Sequence, residues 1–367
     1  MLLWQIILLA VGMVMLIKGA DYFVDGSSKI AKALKIPSLI IGLTLVSMGT
    51  SAPELSVSIS AALAGSNDLS LGNVVGSNSF NTFLILGLSS IVVPLVIGDD
   101  MKKYDIPIML GIYGLFLVFG FLITPNQLDR IESIIFLVLF LSYMVLLFFR
   151  AKKGNEEEVN EEGPVTFKTL ILTVLIGVAG VLTILKQETI AVIVMSVFCL
   201  LLALKFPKQI KSQSKALNII LSVFFAGTGL LAIIGGGTVV VDSASYIAES
   251  LGMSQALVGL TIVAVGTSLP ELVTSVVASI KKENDIAIGN VIGSNIFNVL
   301  LILGTTSTIK PLALTNESLF DLVVLFVSGL LVFLISRFSK NMKKWQGILF
   351  VLLYVAYLAF IIIRNYA

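Results

Sequence analysis

Apolar runs of about twenty residues recur from Leu2 to the stretch before Arg364, separated by short charged loops, and this pattern leaves a chain few ways to fold. With 57% of its 367 residues hydrophobic and 13% charged, the sequence reads as a polytopic helical membrane protein. Regularly alternating ten-residue strands, which a barrel needs, do not occur. The sequence predicts twelve spans, near 2–24, 37–64, 70–96, 105–124, 128–149, 167–185, 188–206, 217–240, 256–279, 286–308, 318–337 and 346–364. No basic residue precedes the first run and no small-residue cleavage site follows it, so it reads as a span and not as a signal peptide. Cys199 is the single cysteine, which excludes a disulfide within the chain. Histidine is absent, and with it the usual proton relay and transition-metal ligand.

The basic residues orient the spans. With the N-terminus outside, the inner loops receive clusters such as Lys29/Lys32/Lys35, Lys102/Lys103, Arg150/Lys152/Lys153, Lys281/Lys282 and Arg337/Lys340/Lys343/Lys344. The outer side keeps Arg130, Lys186, Lys310 and Arg364, while Lys18 snorkels from the inner end of the first span. This bias predicts a multi-pass cell-membrane protein with both termini outside.

The chain also repeats itself. A shift of 217 residues aligns 42–95 with 259–312 without a gap, and 29 of 54 positions are identical. Three segments follow: 1–149 as a first five-helix repeat, 150–216 as a charged linker plus two additional helices, and 217–367 as a second five-helix repeat. The span at 37–64 starts after the inner Lys29–Lys35 cluster and runs outward. The span at 256–279 ends at Lys281 and Lys282 and runs inward. The fold expected is therefore all-α, with inverted five-helix repeats forming a ten-helix core and an extra two-helix hairpin between them. Inverted repeats with their distinctive residues at mid-membrane are the layout of secondary transporters.

Those distinctive residues are 47-SMGTSAPELSVS-58 and 264-AVGTSLPELVTS-275. Pro53 has no N–H and its ring crowds the carbonyl of Gly49, so the helix opens around Gly49 and Thr50. Ser47, Thr50 or Ser51, and Glu54 share one helical face. A carboxylate, hydroxyls and loosened carbonyls on one face make a hard oxygen site, suited to Na⁺ or Ca²⁺. Thr267, Ser268 and Glu271, with Pro270, supply the other half. The partner segments 72-GNVVGSNSFN-81 and 289-GNVIGSNIFN-298 carry small-xxx-small glycines for close helix approach. Asn73, Ser77 and Asn81 follow one face at four-residue steps, as do Asn290, Ser294 and Asn298.

A lone buried Asn or Ser in a membrane helix is more often interhelical glue than a ligand, and a lone Gly-Thr-Ser-x-Pro can be a mere kink. The glutamates weigh differently. A charge at mid-membrane costs roughly 2.5–3.5 kcal/mol even on the lenient insertion scale. Neither motif contains Lys or Arg, so two such carboxylates call for a bound cation or proton.

At these residues the sequence resembles the calcium/cation antiporter superfamily, nearest its prokaryotic sodium/calcium exchanger branch. The doubled GTS-x-PE and GN-x-x-GSN-x-F-N segments look like that family's alpha repeats, and the likeness covers all but 150–216. It implies that Glu54 and Glu271 hold Ca²⁺ with the backbone of Thr50 and Thr267. It further implies flanking Na⁺ sites built from Ser51, Ser77, Ser268 and Ser294 with the carbonyls of Ser47 and Ala264, and places Asn81 and Asn298 at the centre. Many members of the family carry Asp where this chain has Asn298, so two formal charges are expected here and not three. The spans at 167–206 have no counterpart in the family's ten-helix core, and the run at 150–163 reads as a solvated linker.

The expected function is exchange of Na⁺ for Ca²⁺ by alternating access, exporting Ca²⁺. An H⁺/Ca²⁺ or K⁺-dependent exchanger of the same fold and, from another class, a cation channel are the rivals. No nucleophile–base pairing or phosphate loop marks an enzyme, and neither a cofactor nor a nucleic-acid partner is expected. Ca²⁺ and Na⁺ as substrates and the lipid bilayer are the partners.

Overall fold

The computed structural model describes residues 2–64, 67–153, 165–166, 209–210, 215–252 and 264–366. The extra hairpin expected at 167–206, Cys199, and the start of the span expected at 256–279 lie outside these residues. Helices dominate in chain order: α1 (Leu2–Leu34), α2 (Ser38–Thr50), α3 (Ala52–Ala64), α4 (Leu69–Val92), α5 (Met101–Ile123), α6 (Arg130–Lys153), α7 (Lys215–Ser250), α8 (Ala264–Gly266), α9 (Leu269–Ile280), α10 (Asn284–Ile309), α11 (Asn316–Phe338) and α12 (Lys344–Tyr366). Among the described residues, eight helices are long and apolar enough to cross a membrane, and the bent pair α2–α3 makes a ninth span.

Their burial is that of a membrane protein. On α6, Ile131, Ile134, Val138, Leu141, Val145 and Phe148 form an exposed apolar stripe, while Ser133, Phe136, Phe140, Tyr143 and Leu147 point inward. The helices bearing the GN-x-x-GSN segments sit deepest: 94% of the apolar window of α10 and 78% of that of α4 is buried.

Two helices overrun their expected ends. Continuous hydropathy ends the first span near residue 24, yet α1 runs to Leu34, carrying Lys29 and Lys32 on helix and not loop. It stops where Lys35 turns left-handed (φ 54°), with Ile36 N–H donating to Ala31 O at 2.9 Å and Lys35 N–H to Lys32 O at 3.1 Å. This paired closure is a Schellman motif, and Pro37 follows it. One repeat later, α7 overruns 240 and reaches Ser250, with Gly252 at φ 94° in the position equivalent to Lys35. Nothing between the apolar run and these stops breaks a helix, so the backbone continues past the apolar boundary.

The chain folds into two compact units that exchange pieces of the sequence repeats: Met1–Ile41 with Ala151–Val277, and Gly42–Arg150 with Ala278–Ala367. In the first unit, α1 and α7 pack antiparallel through glycines at seven-residue spacing. A β carbon on Gly229 would meet Gly19 O at 2.6 Å, and one on Gly236 would meet Gly12 O at 2.9 Å. Gly12 is the repeat equivalent of Gly229 and Gly19 of Gly236, so each glycine contacts the other's counterpart. That crossing is what a two-fold inversion produces. Bare backbones meet here because lipid provides no hydrophobic drive and association rests on close packing. A short antiparallel pair, β3 (Val165–Thr166) with β4 (Gln209–Ile210), belongs to the same unit.

The second unit repeats the same symmetry. Helix α4 packs antiparallel on α12, with Phe83 against Phe350 at 5.7 Å and Phe80 against Tyr354 at 5.5 Å. Its equivalent α10 packs on α6 through Phe297 and Phe140 at 5.9 Å, and through a hydrogen bond of 2.6 Å from Ser133 Oγ to Ser307 Oγ. Gly329 of α11 lies against Tyr113 of α5, close to its own repeat equivalent. Two antiparallel strand pairs close the loops: β1 (Leu95–Val96) with β6 (Asn341–Met342), and β2 (Gln127–Leu128) with β5 (Leu312–Ala313). Each joins the loop after one repeat's third span to the loop before the other repeat's last span. The repeats are inverted, and the core is built across them.

Candidate cation site

In the second unit the break falls where the sequence places it. Helices α2 and α3 meet at 47°, with Ser51 at the joint. Ser51 N–H still donates to Ser47 O at 3.0 Å and Leu55 N–H to Ser51 O at 3.1 Å, but Pro53 has no proton to offer Gly49 O. Glu54 follows in the first turn of α3 and is fully buried. The exposed N–H groups of a helix start favour an anion there. Asn73 ties α4 to this turn, its Nδ2 donating to Glu54 O at 3.2 Å and to Ser58 Oγ at 2.9 Å.

The hydroxyls above Glu54 face α10. Thr50 Oγ1 lies 3.0 Å from Asn290 Oδ1 and 3.1 Å from Val46 O, with one proton to donate. Ser294 Oγ reaches Ser47 O at 3.4 Å. The contact requires Gly293, because a β carbon there would stand 2.7 Å from Ser47 Oγ. Gly42 makes the same allowance one turn earlier, against Gly289 and the backbone of Asp285. The small-xxx-small spacing therefore does on α10 what the sequence predicts, but not on α4, where a β carbon on Gly72 or Gly76 would meet nothing among the described residues within 4 Å. Wide π-helical turns interrupt the same segments at Gly42–Val46, Phe80–Ile85 and Asn298–Leu303. Such turns recur at functional sites because they shift carbonyls out of the regular ladder.

Two residues that the facial reading passed over, Asn78 and Asn295, connect the repeats. Asn78 Nδ2 donates to Asn295 O at 3.1 Å, Asn298 Nδ2 donates to Asn78 Oδ1 at 2.9 Å, and Asn295 Nδ2 donates to Thr82 Oγ1 at 2.8 Å. Both lie inside the quoted GSN triplets, one residue off the four-residue face of Ser77, Asn81 and their equivalents. That offset is why periodicity alone missed them.

Of the sequence candidates, Ser47, Thr50, Ser51, Glu54, Ser77, Asn81, Ser294 and Asn298 share this unit and are all buried. Among the described residues no three acidic side chains gather. Ala264, Thr267, Ser268 and Glu271 belong to the other unit. The described part of α8 is Ala264–Gly266, and the chain turns at Thr267 and Ser268, with Ser268 N–H donating to Val265 O at 3.1 Å. Helix α9 then starts with Pro270 in second place and Glu271 in its first turn, Ser268 and Glu271 both fully buried. Both copies place a proline second and a buried glutamate in the first turn of the helix that follows the break.

A buried carboxylate at the start of a Pro-broken helix, in a fold of inverted repeats, defines a secondary cation transporter. The chain belongs to the sodium/calcium exchanger protein family, whose model matches residues 4–149 and 221–363. The sodium/calcium exchanger MaX1 of Methanosarcina acetivorans is 34% identical over 379 residues, covering 96% of this chain and 97% of its own. The inner membrane protein YrbG of Escherichia coli is 31% identical, with 96% and 95% covered. A solved structure of the sodium-calcium exchanger NCX_Mj, soaked with Na⁺ and Sr²⁺, superposes with a TM-score of 0.74 at 28% identity, covering 98% of this chain and 99% of that one. The protein is a cation exchanger and not an enzyme.

Proposed function

We propose that the protein exchanges Na⁺ for Ca²⁺, using the sodium gradient to drive Ca²⁺ export, with both termini outside the cell. The observation that carries this reading is Glu54, fully buried in the first turn of a broken helix beneath Ser47 and Thr50, whose partners Ser294 and Asn290 come from the other repeat. Glu271 is likewise fully buried in the first turn of a helix with a proline in second place. The relatives named as sodium/calcium exchangers supply the ion pair.

In this reading Glu54 and Glu271 hold Ca²⁺ with the backbone of Thr50 and Thr267. Ser51, Ser77, Ser268 and Ser294, with the carbonyls of Ser47 and Ala264, hold Na⁺, and Asn81 and Asn298 line the centre. Antiport follows from the charges. Occluding two carboxylates in low dielectric without a cation is costly, whereas Ca²⁺ or several Na⁺ neutralise them, so only loaded states cross.

The test is Ca²⁺ uptake by proteoliposomes loaded with Na⁺, compared with vesicles carrying only a pH gradient. Uptake driven by Na⁺ alone is the expected result. Uptake driven by the pH gradient alone would make the protein a proton exchanger, and Ca²⁺ equilibration without any counter-ion would make it a channel.

A further inference from the structure

The two central asparagines, Asn81 and Asn298, are repeat equivalents, yet their surroundings differ. The chain of bonds around Asn298 fixes which way its amide faces. Asn295 O is a carbonyl and can only accept, so the group of Asn78 that meets it, at 3.1 Å, is the Nδ2 donor. Asn78 must then turn Oδ1 toward Asn298, and the atom of Asn298 that meets it at 2.9 Å is Nδ2. Asn298 Oδ1 is left pointing elsewhere. It is fully buried and, among the described residues, accepts no hydrogen bond. A buried acceptor with no donor is costly in a protein interior and is suited to a cation or an ordered water.

The inverted repeat would set the same device around Asn81, with Asn295 Nδ2 on Asn78 O and Asn81 Nδ2 on Asn295 Oδ1. That arrangement is absent. Asn295 Nδ2 instead donates to Thr82 Oγ1 at 2.8 Å and approaches Met109 Sδ at 3.7 Å. Among the described residues Asn295 Oδ1 accepts nothing, and neither amide atom of fully buried Asn81 has a partner. The sequence holds the cause. Thr82 corresponds to Val299, which offers no hydroxyl, so only the first repeat can divert its neighbour's asparagine.

We infer that Thr82 breaks the two-fold symmetry of the site: through Asn295 it leaves the Asn81 amide able to rotate, while Asn78 locks Asn298 as a fixed oxygen ligand. This makes Thr82 and Asn78 positioning residues that set the balance of Na⁺ against Ca²⁺, and it rests on the reading above that both central asparagines face the transported ions. A rotatable amide can give a monovalent ion or a water its oxygen, or donate to a neighbouring oxygen when that ion leaves. A locked amide presents its oxygen in every state.

The experiment measures half-saturation for Na⁺ and for Ca²⁺ in proteoliposomes of the full chain carrying Thr82→Val, Thr82→Ser, Val299→Thr or Asn298→Ala. Thr82→Val keeps the shape and removes the hydroxyl. It should shift the ratio of the two constants about threefold or more, while Thr82→Ser, which keeps the hydroxyl, should match wild type. Val299→Thr gives Asn78 a competing acceptor and should shift the ratio as well, which keeps the test open if Thr82→Val fails to insert. Asn298→Ala reports on the underlying reading. If it shifts the ratio while neither Thr82→Val nor Val299→Thr does, the inference is wrong and the site assignment stands. If Asn298→Ala leaves the ratio unchanged, the site assignment for the centre fails and the inference falls with it. Equal shifts in Thr82→Val and Thr82→Ser would reduce Thr82 to packing and overturn the proposal.

Discussion

In the proposed reading, Glu54 and Glu271 are the residues on which exchange rests. Each starts a helix behind a proline, each is fully buried, and neither motif contains a lysine or arginine. Replacing either with Gln removes half of the fixed charge that offsets dehydration of a divalent ion, and an amide offers one oxygen where a carboxylate offers two. Glu54→Gln and Glu271→Gln should each lower Na⁺-dependent Ca²⁺ flux at least a hundredfold while inserting and purifying as wild type. Wild-type flux in either single variant, measured as initial ⁴⁵Ca²⁺ uptake, would remove that glutamate from the site. A second residue-scale expectation concerns Lys35, which holds φ 54° at the end of α1, where its equivalent is Gly252. A side chain in the left-handed region costs about 1–2 kcal/mol, so Lys35→Gly should raise the melting temperature in detergent. An unchanged or lower value would mean that the Lys35 side chain contributes more than its backbone strain takes away.

Among the elements, the α1–α7 pair is the one held by backbone contact. Gly19 and Gly229 leave no room for a β carbon, which on Gly229 would lie 2.6 Å from both Gly19 O and Phe23 N. Overpacking of this kind costs about 1–3 kcal/mol, and here the obstructing atoms are backbone that cannot rotate aside. Gly229→Val should therefore lower thermal stability by several degrees and reduce exchange by forcing the helices apart. Gly227→Ala on the same helix, where a β carbon meets nothing among the described residues within 4 Å, should behave as wild type. Similar effects from the two substitutions would show that the crossing is not the determinant. The broken spans rest on a different principle: the joint is set by a proline four residues after a glycine.

At the scale of the whole molecule, inversion shows as antiparallel packing of repeat equivalents within each unit, Gly12 and Gly19 against Gly236 and Gly229 in one, Tyr113 against Gly329 in the other. If the basic clusters orient the chain as proposed, a cysteine at Asn67 should label from outside and one at Glu283 from inside, in a Cys199→Ser background. The two positions are one residue short of equivalent in the repeats, so labelling from the same side would refute the inverted topology. The exchange of helices between repeats, α4 with α12 and α10 with α6, gives neither repeat a core of its own. Each repeat expressed alone lacks the partner surface that its third helix buries.

Hydropathy, charge and self-similarity run along the chain, and so the sequence by itself determined what is local or periodic. It set the membrane class, the spans that fall on described residues, the Pro53 and Pro270 breaks, the buried glutamates and, through the lysine clusters, the inversion. The ends of α1 and α7 escaped it, because apolar length marks where lipid stops, whereas a helix stops at a left-handed residue such as Lys35. Only the tertiary structure decided which helices became partners and what the asparagines do. Apolar helices in lipid gain nothing by choosing one apolar neighbour over another, so partners are selected by glycine clearance and amide geometry in three dimensions. Asn78 and Asn295 lie off the face that periodicity selects, and their roles depend on bonds that cross from one repeat to the other. The difference between Thr82 and Val299 is visible in the sequence as one of several mismatches in and beside the repeated motif. Its consequence exists only where Asn295 reaches that hydroxyl and leaves Asn81 unbound.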